Sequence, residues 1–275
     1  MYFVICAAVF VAAYVANLIM ITVGYHRGLA HRAVKWSPRT ERFVARYGIW
    51  FTGLDPKGWV CMHRMHHAFS DTPRDPHSPT HQGLFGVLLG QLKSYERVLV
   101  GLARNDTEYT RHVTDLEFEV NWVNRKRVWL LPYAVHIAIS LAIAIPTGWW
   151  LLAAAYYFGI MSHPIEGWLV NSLGHAVGER NFDTPDVSRN NLFAAWVILG
   201  EGLQNNHHRH PSSARFSYKP GEPDGGWRVV QLFERMGLLT VDRAKLIPTY
   251  ERPTVGTAHA VSIAPKTQTE RRRAA

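Results

Sequence analysis

Histidine is grouped along this chain in a way that indicates metal binding. The 275 residues include fifteen histidines. Three of them, His63, His66 and His67, form an H-x-x-H-H segment, and this i, i+3, i+4 spacing places all three imidazoles on one face of a helix. Neutral imidazole is the commonest protein ligand of metal ions, so we predict a metal site here. The alternative is a solvated cationic patch that includes Arg64.

A second pair, His26 and His31, follows the first apolar stretch as H-x-x-x-x-H. Residues five apart point about 140° from each other on an ideal α-helix. The two rings can therefore meet at one metal only if the helix ends between them. Gly28 lies between them and is predicted to break the helix.

Two further segments carry potential ligands. Asn171 and His175 form N-x-x-x-H, one helical turn apart, with helix capping as the alternative role. Gln204, His207 and His208 form Q-x-x-H-H, which repeats the spacing of the middle segment with glutamine in place of its first histidine. One such segment could arise by chance, but four together favour a metal centre with several ligands.

Composition limits the kind of metal centre and the partners. Cys6 and Cys61 are the only cysteines, which excludes a disulfide framework, a zinc ribbon and a cysteine-ligated iron–sulfur cluster. Any metal must therefore be held by nitrogen and oxygen atoms. The net charge of +9 does not form one basic stripe, and no nucleic-acid-binding module is recognisable, so we expect no nucleic-acid partner.

Apolar segments must position these ligands, and two of them suit a membrane. Residues 1–24 carry no Asp, Glu, Lys or Arg and, at about 1.5 Å per residue, can cross a bilayer core of about 30 Å; a cleaved signal peptide is the alternative. Residues 128–172 contain a charge-free stretch too long for one span. They are predicted to form a transmembrane hairpin that turns at Pro146-Thr147-Gly148 and whose second helix continues to about Ser172.

The polar segments follow from this topology. Residues 25–127 hold more than half of the chain's 30 Lys and Arg residues, so the positive-inside rule places them and residues 173–248 in the cytoplasm, with the amino terminus outside. An amphipathic helix is predicted after Gly225, and the basic tail, residues 249–275, is predicted to be disordered. We thus expect an all-α, integral-membrane protein with three spans and a cytoplasmic helical cap that carries the metal site.

The sequence around the histidines resembles the membrane fatty-acid (acyl-CoA) desaturase family, the group that includes stearoyl-CoA desaturase. The resemblance covers roughly residues 20–240 and includes connecting sequence as well as ligands. The matching segments are G-Y-H-R-G-L-A-H-R, H-R-M-H-H-A-F-S-D-T followed by D-P-H-S, V-N-S-L-G-H, R-N-F-D with a downstream R-N-N, and G-E-G-L-Q-N-N-H-H. The resemblance implies a protein of the bacterial inner membrane with its catalytic face in the cytoplasm.

The resemblance also implies a di-iron site, with two Fe ions and O2 as co-substrate. The implied ligands, not divided between the irons, are His26, His31, His63, His66, His67, Asn171 through a bound water, His175, His207 and His208, together with Gln204 at a position where the family has histidine. Asp75 and His77 match the family's D-P-H and are expected to orient the ligand histidines.

Two features depart from the family pattern. An amide oxygen is a harder and weaker ligand than imidazole, so Gln204 binds iron through its oxygen, binds through water, or leaves an open position. The family usually has four spans, and the first span predicted here corresponds to the family's second. Either the chain start is late or the extra helix is dispensable.

The implied activity is desaturation of a long-chain acyl group with O2 and two external electrons. The chain has no G-x-G-x-x-G fingerprint and no H-P-G-G cytochrome segment, so we expect a separate donor, a ferredoxin or a cytochrome with its reductase. The acyl chain, carried on CoA or a similar thioester, is expected to enter a tunnel among the spans, capped by Phe10 and Tyr14; packing against membrane lipid is the alternative for both. His136 and His163, within the spans, are expected to pack helices together.

Two other functions stay open at this point. Histidine-rich membrane proteins of this kind also insert oxygen into hydrocarbons, so an acyl-chain or hydrocarbon hydroxylase on the same scaffold is one alternative. The other is a catalytically silent metal-binding or regulatory membrane protein, in which Gln204 marks lost chemistry.

Overall fold

The computed structural model describes residues 1–250, and most of them are helical. The part of the predicted disordered tail from residue 251 onward lies outside the described residues. The all-α expectation is confirmed apart from one small antiparallel sheet, in which β1 (Val34–Trp36) pairs with β2 (Leu239–Val241). This sheet ties the end of the first long helix to the last described part of the chain.

Fourteen α-helices occur among the described residues. In chain order they are α1 (Tyr2–Ile19), α2 (Pro38–Tyr47), α3 (Ile49–Thr52), α4 (Pro56–Phe69), α5 (Pro79–Gln82), α6 (Gly86–Ala103), α7 (Thr107–Thr110), α8 (Trp122–Arg125), α9 (Leu131–Thr147), α10 (Trp150–Ile160), α11 (His163–Ala176), α12 (Leu192–Val197), α13 (Gln204–Arg209) and α14 (Gly225–Arg235). A π-helical segment (Met20–Ala30) continues α1, and a 3-10 turn (Arg243–Lys245) follows β2.

Within residues 1–250, one helix is long enough and apolar enough to cross a membrane by itself, and it runs from Tyr2 to Ala30. α9 and α10 are also apolar but have only 17 and 11 residues, or about 26 and 17 Å. α10 packs closely along α1, since a Cβ at Gly159 would lie 2.7 Å from the carbonyl oxygen of Phe10. The three-span topology therefore stays a prediction, with the first span the best supported.

The predicted hairpin turn is present between α9 and α10. α9 ends at Thr147, and Gly148 follows with φ +70°. This left-handed conformation favours glycine because it has no Cβ.

The second helix of the hairpin does not continue unbroken to Ser172, and that expectation is wrong. α10 ends at Ile160, and α11 begins at His163. Pro164 lies in the first turn of α11 and has no N–H to donate to the preceding turn, which favours a new helix start at this point. The interruption places His163 and Glu166 at the buried start of α11.

The expectation that the first helix ends between the two histidines of the H-x-x-x-x-H pair is also wrong. The helix changes to π geometry at Met20 and continues to Ala30. The N–H of His31 donates to the carbonyl of His26 at 3.1 Å. Because a π-helix bonds residue i+5 to residue i, side chains five apart lie on one face. The wider π turn therefore brings the rings of His26 and His31 to the same side, as the predicted helix break was expected to do.

Gly28 has a packing role instead of breaking the helix. A Cβ at this position would lie 1.9 Å from Nε1 of Trp36, a buried residue of β1. Glycine thus allows the π segment to approach the small sheet.

α4 carries the middle histidine segment, and a buried cap holds its start in place. Asp55 is fully buried, and its carboxylate accepts the N–H of Gly58 at 2.9 Å and the N–H of Asn121 at 2.6 Å. Pro56 occupies the first turn, where its missing N–H costs nothing. The cap joins α4 to the chain that leads into α8.

The amphipathic helix predicted after Gly225 is confirmed as α14. Val230 is buried, and Trp227 and Phe233 pack partly buried against the same cluster, which includes Trp36 of β1. α14 therefore covers the sheet and the end of the π segment.

Candidate metal centre

Two groups of histidines lie next to each other where the π segment, α4, α11 and α13 meet. In each group the nearest ring nitrogens all lie within 4.8 Å of one another. The first group consists of His26, His31, His63, His67 and His207, and the second of His66, His175 and His208. The structure thus brings together all eight histidines predicted from the sequence, and it divides them into five and three.

Helical geometry explains this division. His63 and His67 are four residues apart on α4 and face the first group, whereas His66 points to the second because successive residues are rotated by about 100°. On α13 the same rotation sends His207 to the first group and His208 to the second. Each of these helices therefore contributes to both groups.

The separations within the first group suit nitrogens that face one ion. His31 Nε2 lies 2.7 Å from His63 Nε2, and His207 Nε2 lies 3.0 Å from the Nε2 atoms of both His26 and His67. Imidazole nitrogens bind metals such as zinc at about 2.1 Å, so two of them at right angles lie about 3 Å apart. The observed distances are close to this value.

The second group provides an independent sign of a metal site. The Nε2 atoms of His66, His175 and His208 are all buried and have no hydrogen-bond partner. Buried polar atoms are rarely left unpaired, because each costs roughly 1–3 kcal/mol. Three such atoms that face one another fit a bound cation.

Carboxylates orient four of the eight rings from behind. The pairs are His26 with Glu201 at 2.5 Å, His66 with Asp75 at 2.9 Å, His175 with Asp71 at 2.9 Å and His208 with Asp186 at 2.6 Å. In every pair the ring uses Nδ1. When Nδ1–H donates to a carboxylate, Nε2 keeps its lone pair for a metal.

Asp75 was predicted to orient ligands, but the other three carboxylates were not. Asp71 and Glu201 lie inside segments that resemble the desaturase family, in S-D-T and G-E-G. The resemblance could therefore have indicated that these two carboxylates belong to the site. Asp186 lies 22 residues before His208, and no helical spacing relates them. That contact exists only because the loop between α11 and α12 folds back over α13.

Burial keeps four rings of the first group in the neutral form that binds metals. The pKa values of His31, His63, His67 and His207 lie well below the usual range. Burial disfavours the charged form, and any neighbouring imidazolium would repel a second one. These rings therefore need not lose a proton before binding metal at neutral pH.

Glu201 is held by a buried arginine. The guanidinium of Arg27 is fully buried, forms an ion pair with Glu201 and another with Asp224 at 3.2 Å, and stacks on Phe216 at 3.7 Å. Burial opposes ionisation of Glu201, but His26 and Arg27 together lower the pKa of its carboxyl below the usual value. An ionised Glu201 is thus available to accept a hydrogen bond from Nδ1–H of His26.

The two predicted amide ligands, Gln204 and Asn171, lie in the wall of a cavity that His26 also lines. Gln204 Nε2 donates to the carbonyl of Glu201 at 2.8 Å, which leaves Oε1 as the atom that can bind a cation. Asn171 Nδ2 lies 3.5 Å from Oε1 of Gln91. Direct or water-mediated binding by either amide stays a prediction.

His77 lies against the second group. Its backbone N–H donates to Asp75 at 3.0 Å, and its ring stacks on His66 with 4.7 Å between centroids. Burial and the neighbouring His66 lower the pKa of His77 to about 3. Its contact with His66 is therefore that of a neutral ring packed face to face.

The cavity has a volume of about 60 Å³, room for a few water molecules. Its apolar walls come from Ile21, Trp59, Met62, Val170 and Ile198. The predicted tunnel residues Phe10 and Tyr14 are not among its lining residues; their rings stack on each other. Tyr14 donates to the carbonyl of Val197 at 3.0 Å, next to Ile198. Their capping role stays a prediction.

Both histidines that were predicted to pack helices contact a neighbouring helix. The ring nitrogens of His136 lie 2.7 Å from the Tyr156 hydroxyl and 2.7 Å from the Trp50 carbonyl. His163 of α11 accepts from the indole N–H of Trp59 of α4 at 3.3 Å, and it also lines the cavity beside the histidine groups.

Known proteins share this sequence pattern. The fatty acid desaturase family model matches residues 2–220. Similar proteins include an acyl-CoA 5-desaturase of Anemone leveillei at 33% identity, a Delta-9 acyl-lipid desaturase of Arabidopsis thaliana at 35% and an sn-1 stearoyl-lipid 9-desaturase of Anabaena variabilis at 30%. Each match covers 80% of this chain, which spans 65%, 69% and 77% of those proteins, respectively. The chain therefore belongs to the fatty acid desaturase family.

Proposed function

We propose that this chain is an integral-membrane, O2-dependent acyl desaturase in which the two groups of histidines hold two iron ions. Family membership supports an oxidoreductase that acts on acyl chains. The observation that carries the di-iron proposal is the set of three unpartnered Nε2 atoms in the second group, next to the five converging rings of the first. Imidazole with additional oxygen ligands suits iron.

The division of the histidines proposes a ligand set for each iron. Five histidines would hold the first ion, and three would hold the second, with Gln204 through Oε1 and Asn171 through water as its further ligands. When bound, the two irons would supply the oxygen activation that is needed to remove hydrogen from an unactivated C–H bond.

The chain's own residues prepare the site in three ways. The four carboxylates fix the Nδ1 protons and so aim the Nε2 atoms. Arg27 keeps Glu201 ionised in a buried position. The apolar walls around Ile21, Trp59 and Met62 exclude bulk water from the position next to the histidines.

The proposal also names a substrate class, an electron donor and a location in the cell. The substrate is a long-chain acyl group on CoA or a similar thioester, drawn from or released to membrane lipid. The names of similar proteins include acyl-CoA, acyl-lipid and acyl-carrier-protein substrates. Two external electrons come from a ferredoxin or a cytochrome with its reductase. The apolar helix Tyr2–Ala30 supports membrane insertion, and we place the histidines at the cytoplasmic face of a bacterial inner membrane.

Product analysis under isotopically labelled O2 tests the function. The purified protein, loaded with iron and supplied with a reductase system and acyl substrates, is expected to form a double bond without retained label. A labelled alcohol would instead identify a hydroxylase. Failure to bind iron and to consume oxygen would identify a silent metal-binding protein.

Two histidine variants provide the matched comparison. His67→Ala removes a ring from the first group and is expected to abolish product formation. His112→Ala removes a ring that lies outside both groups and is expected to keep it. Equal activity of the two variants would contradict the proposed ligand set.

A further inference from the structure

Two ionisable side chains at the start of α11 lie in the wall of the cavity. Glu166 is 3% exposed and His163 is 9% exposed, and both line the cavity together with His26, His63 and Gln204. Ionisable groups buried in a membrane-protein interior are rare and usually functional, because burial of each is costly. Neither residue takes part in the proposed binding of iron.

The hydrogen bond from Trp59 shows which ring nitrogen of His163 is the acceptor. The indole N–H of Trp59 donates to Nε2 of His163 at 3.3 Å, and indole is only a donor. Nε2 is therefore the acceptor nitrogen, and Nδ1 carries the hydrogen of the neutral ring. His163 Nδ1 has no hydrogen-bond partner.

Glu166 likewise has one side-chain oxygen with a hydrogen-bond partner and one without. Oε1 of Glu166 contacts the hydroxyl of Ser162, whereas Oε2 is buried without a partner. Oε2 lies 3.8 Å from Nδ1 of His163, which is too far for a direct hydrogen bond. One unpaired donor and one unpaired acceptor thus lie together beside the cavity.

A hydroxyl group matches this pair of atoms. It can accept from Nδ1–H of His163 and donate to Oε2 of Glu166 at the same time, whereas a carbonyl can only accept and an ammonium can only donate. A plain hydrocarbon at this position would leave both atoms unpaired, each at a cost. A site built to bind a hydroxyl rejects the analogue that lacks it.

We infer that Glu166 and His163 form a hydroxyl-binding subsite and that the acyl substrate carries a hydroxyl group near the carbons that react. This inference rests on the proposed acyl desaturase function and names its substrate class. The same atoms could instead bind the hydroxyl of water, which would remain when a plain chain enters. Only the first case makes the protein distinguish hydroxylated chains from plain ones.

Equilibrium binding to the full-length protein in detergent tests the inference without turnover. Stearic acid and the positional isomers of hydroxystearic acid compete for the protein with a fluorescent fatty acid. At least one isomer is expected to bind about tenfold more tightly than stearic acid, as one restored buried hydrogen bond would give. Equal affinity for stearic acid and every isomer, or no binding of any acid, would overturn the inference.

Variants of Glu166 test whether this residue causes the preference for a hydroxylated acid. Glu166→Leu is expected to remove the preference for the hydroxylated isomer, whereas Glu166→Gln keeps an acceptor oxygen and part of the preference. A full preference in Glu166→Leu would also overturn the inference. If that variant does not fold, the wild-type series alone decides. Absence of any desaturated product would overturn the proposed function and leave the affinity ratio as a separate result.

Discussion

Gln204 distinguishes this site at the scale of single residues, because its amide stands where an imidazole would bind more tightly. Its Nε2 atom donates to the Glu201 carbonyl, so only Oε1 is available to an ion. The neighbouring group has three histidines, compared with five in the first. In the proposed di-iron site, the second iron is therefore expected to be held less tightly than the first.

Gln204→His is expected to make iron harder to remove. Imidazole is a better ligand than an amide oxygen for a first-row metal, and an added ~1.4 kcal/mol of binding corresponds to about tenfold. Iron per chain is measured against increasing chelator. Gln231→His, on α14 outside both groups, provides the control, and equal retention by the two variants would contradict a ligand role at position 204.

The carboxylates behind the histidines are the second feature at this scale. Asp186→Asn removes the ionised acceptor of His208, and loss of such a partner typically weakens metal binding about 10–100-fold. The same chelator titration measures it. Asp183→Asn changes a fully exposed carboxylate in the same loop and is expected to leave iron retention unchanged; weakening by both variants to the same extent would argue against an orienting role for Asp186.

The π segment is the element that the site depends on most. An α-helix would turn His26 and His31 away from each other, and the wider π turn brings both rings into the first group. Its close approach to β1 requires that Gly28 have no side chain.

Gly28→Ala tests this dependence. Alanine is the better helix former by about 1 kcal/mol, but its Cβ would lie 1.9 Å from Nε1 of the buried Trp36, so one of the two elements must move. We expect a net loss of roughly 1–3 kcal/mol, as for other overpacked sites, and weaker iron binding. Thermal unfolding in detergent measures the first effect.

Gly86→Ala is the matched control for this substitution. Its Cβ would lie 3.5 Å from that of Gln82, an ordinary contact, so helix propensity should dominate. Unfolding temperatures that change equally in both variants would show that the π segment tolerates the side chain.

At the scale of the whole molecule, the proposed topology puts every candidate ligand on one side of the membrane. The turn after α9 lies at the opposite end of the hairpin from α11 and its ligand His175. A reagent confined to one side of the membrane should therefore distinguish the turn from the ligand-bearing face.

Thr147→Cys and Asp183→Cys test the topology in intact cells. Both positions are exposed, and the native Cys6 and Cys61 are buried. A membrane-impermeant thiol reagent added outside is expected to label only the Thr147 variant, and the Asp183 variant only after permeabilisation. Labelling of both from the same side would refute the hairpin topology.

The sequence by itself was enough to predict clustered histidine ligands, an apolar first helix and the protein family. Histidine spacing within one helix is a local property, so the clustering of potential ligands on α4 and the apolar length of the first helix could be predicted without a fold. The connecting segments identified the family, and the matches to known desaturases confirmed it.

Only the tertiary structure decided how the residues combine. It assigned five histidines to one group and three to the other, because that division depends on how α4 and α13 face each other. It paired Asp186 with His208 and placed Glu166 opposite His163 in the cavity. Contacts between distant segments depend on packing, which short-range spacing does not encode. The close approach of the π segment to Trp36, which Gly28 allows because it has no Cβ, is one such contact.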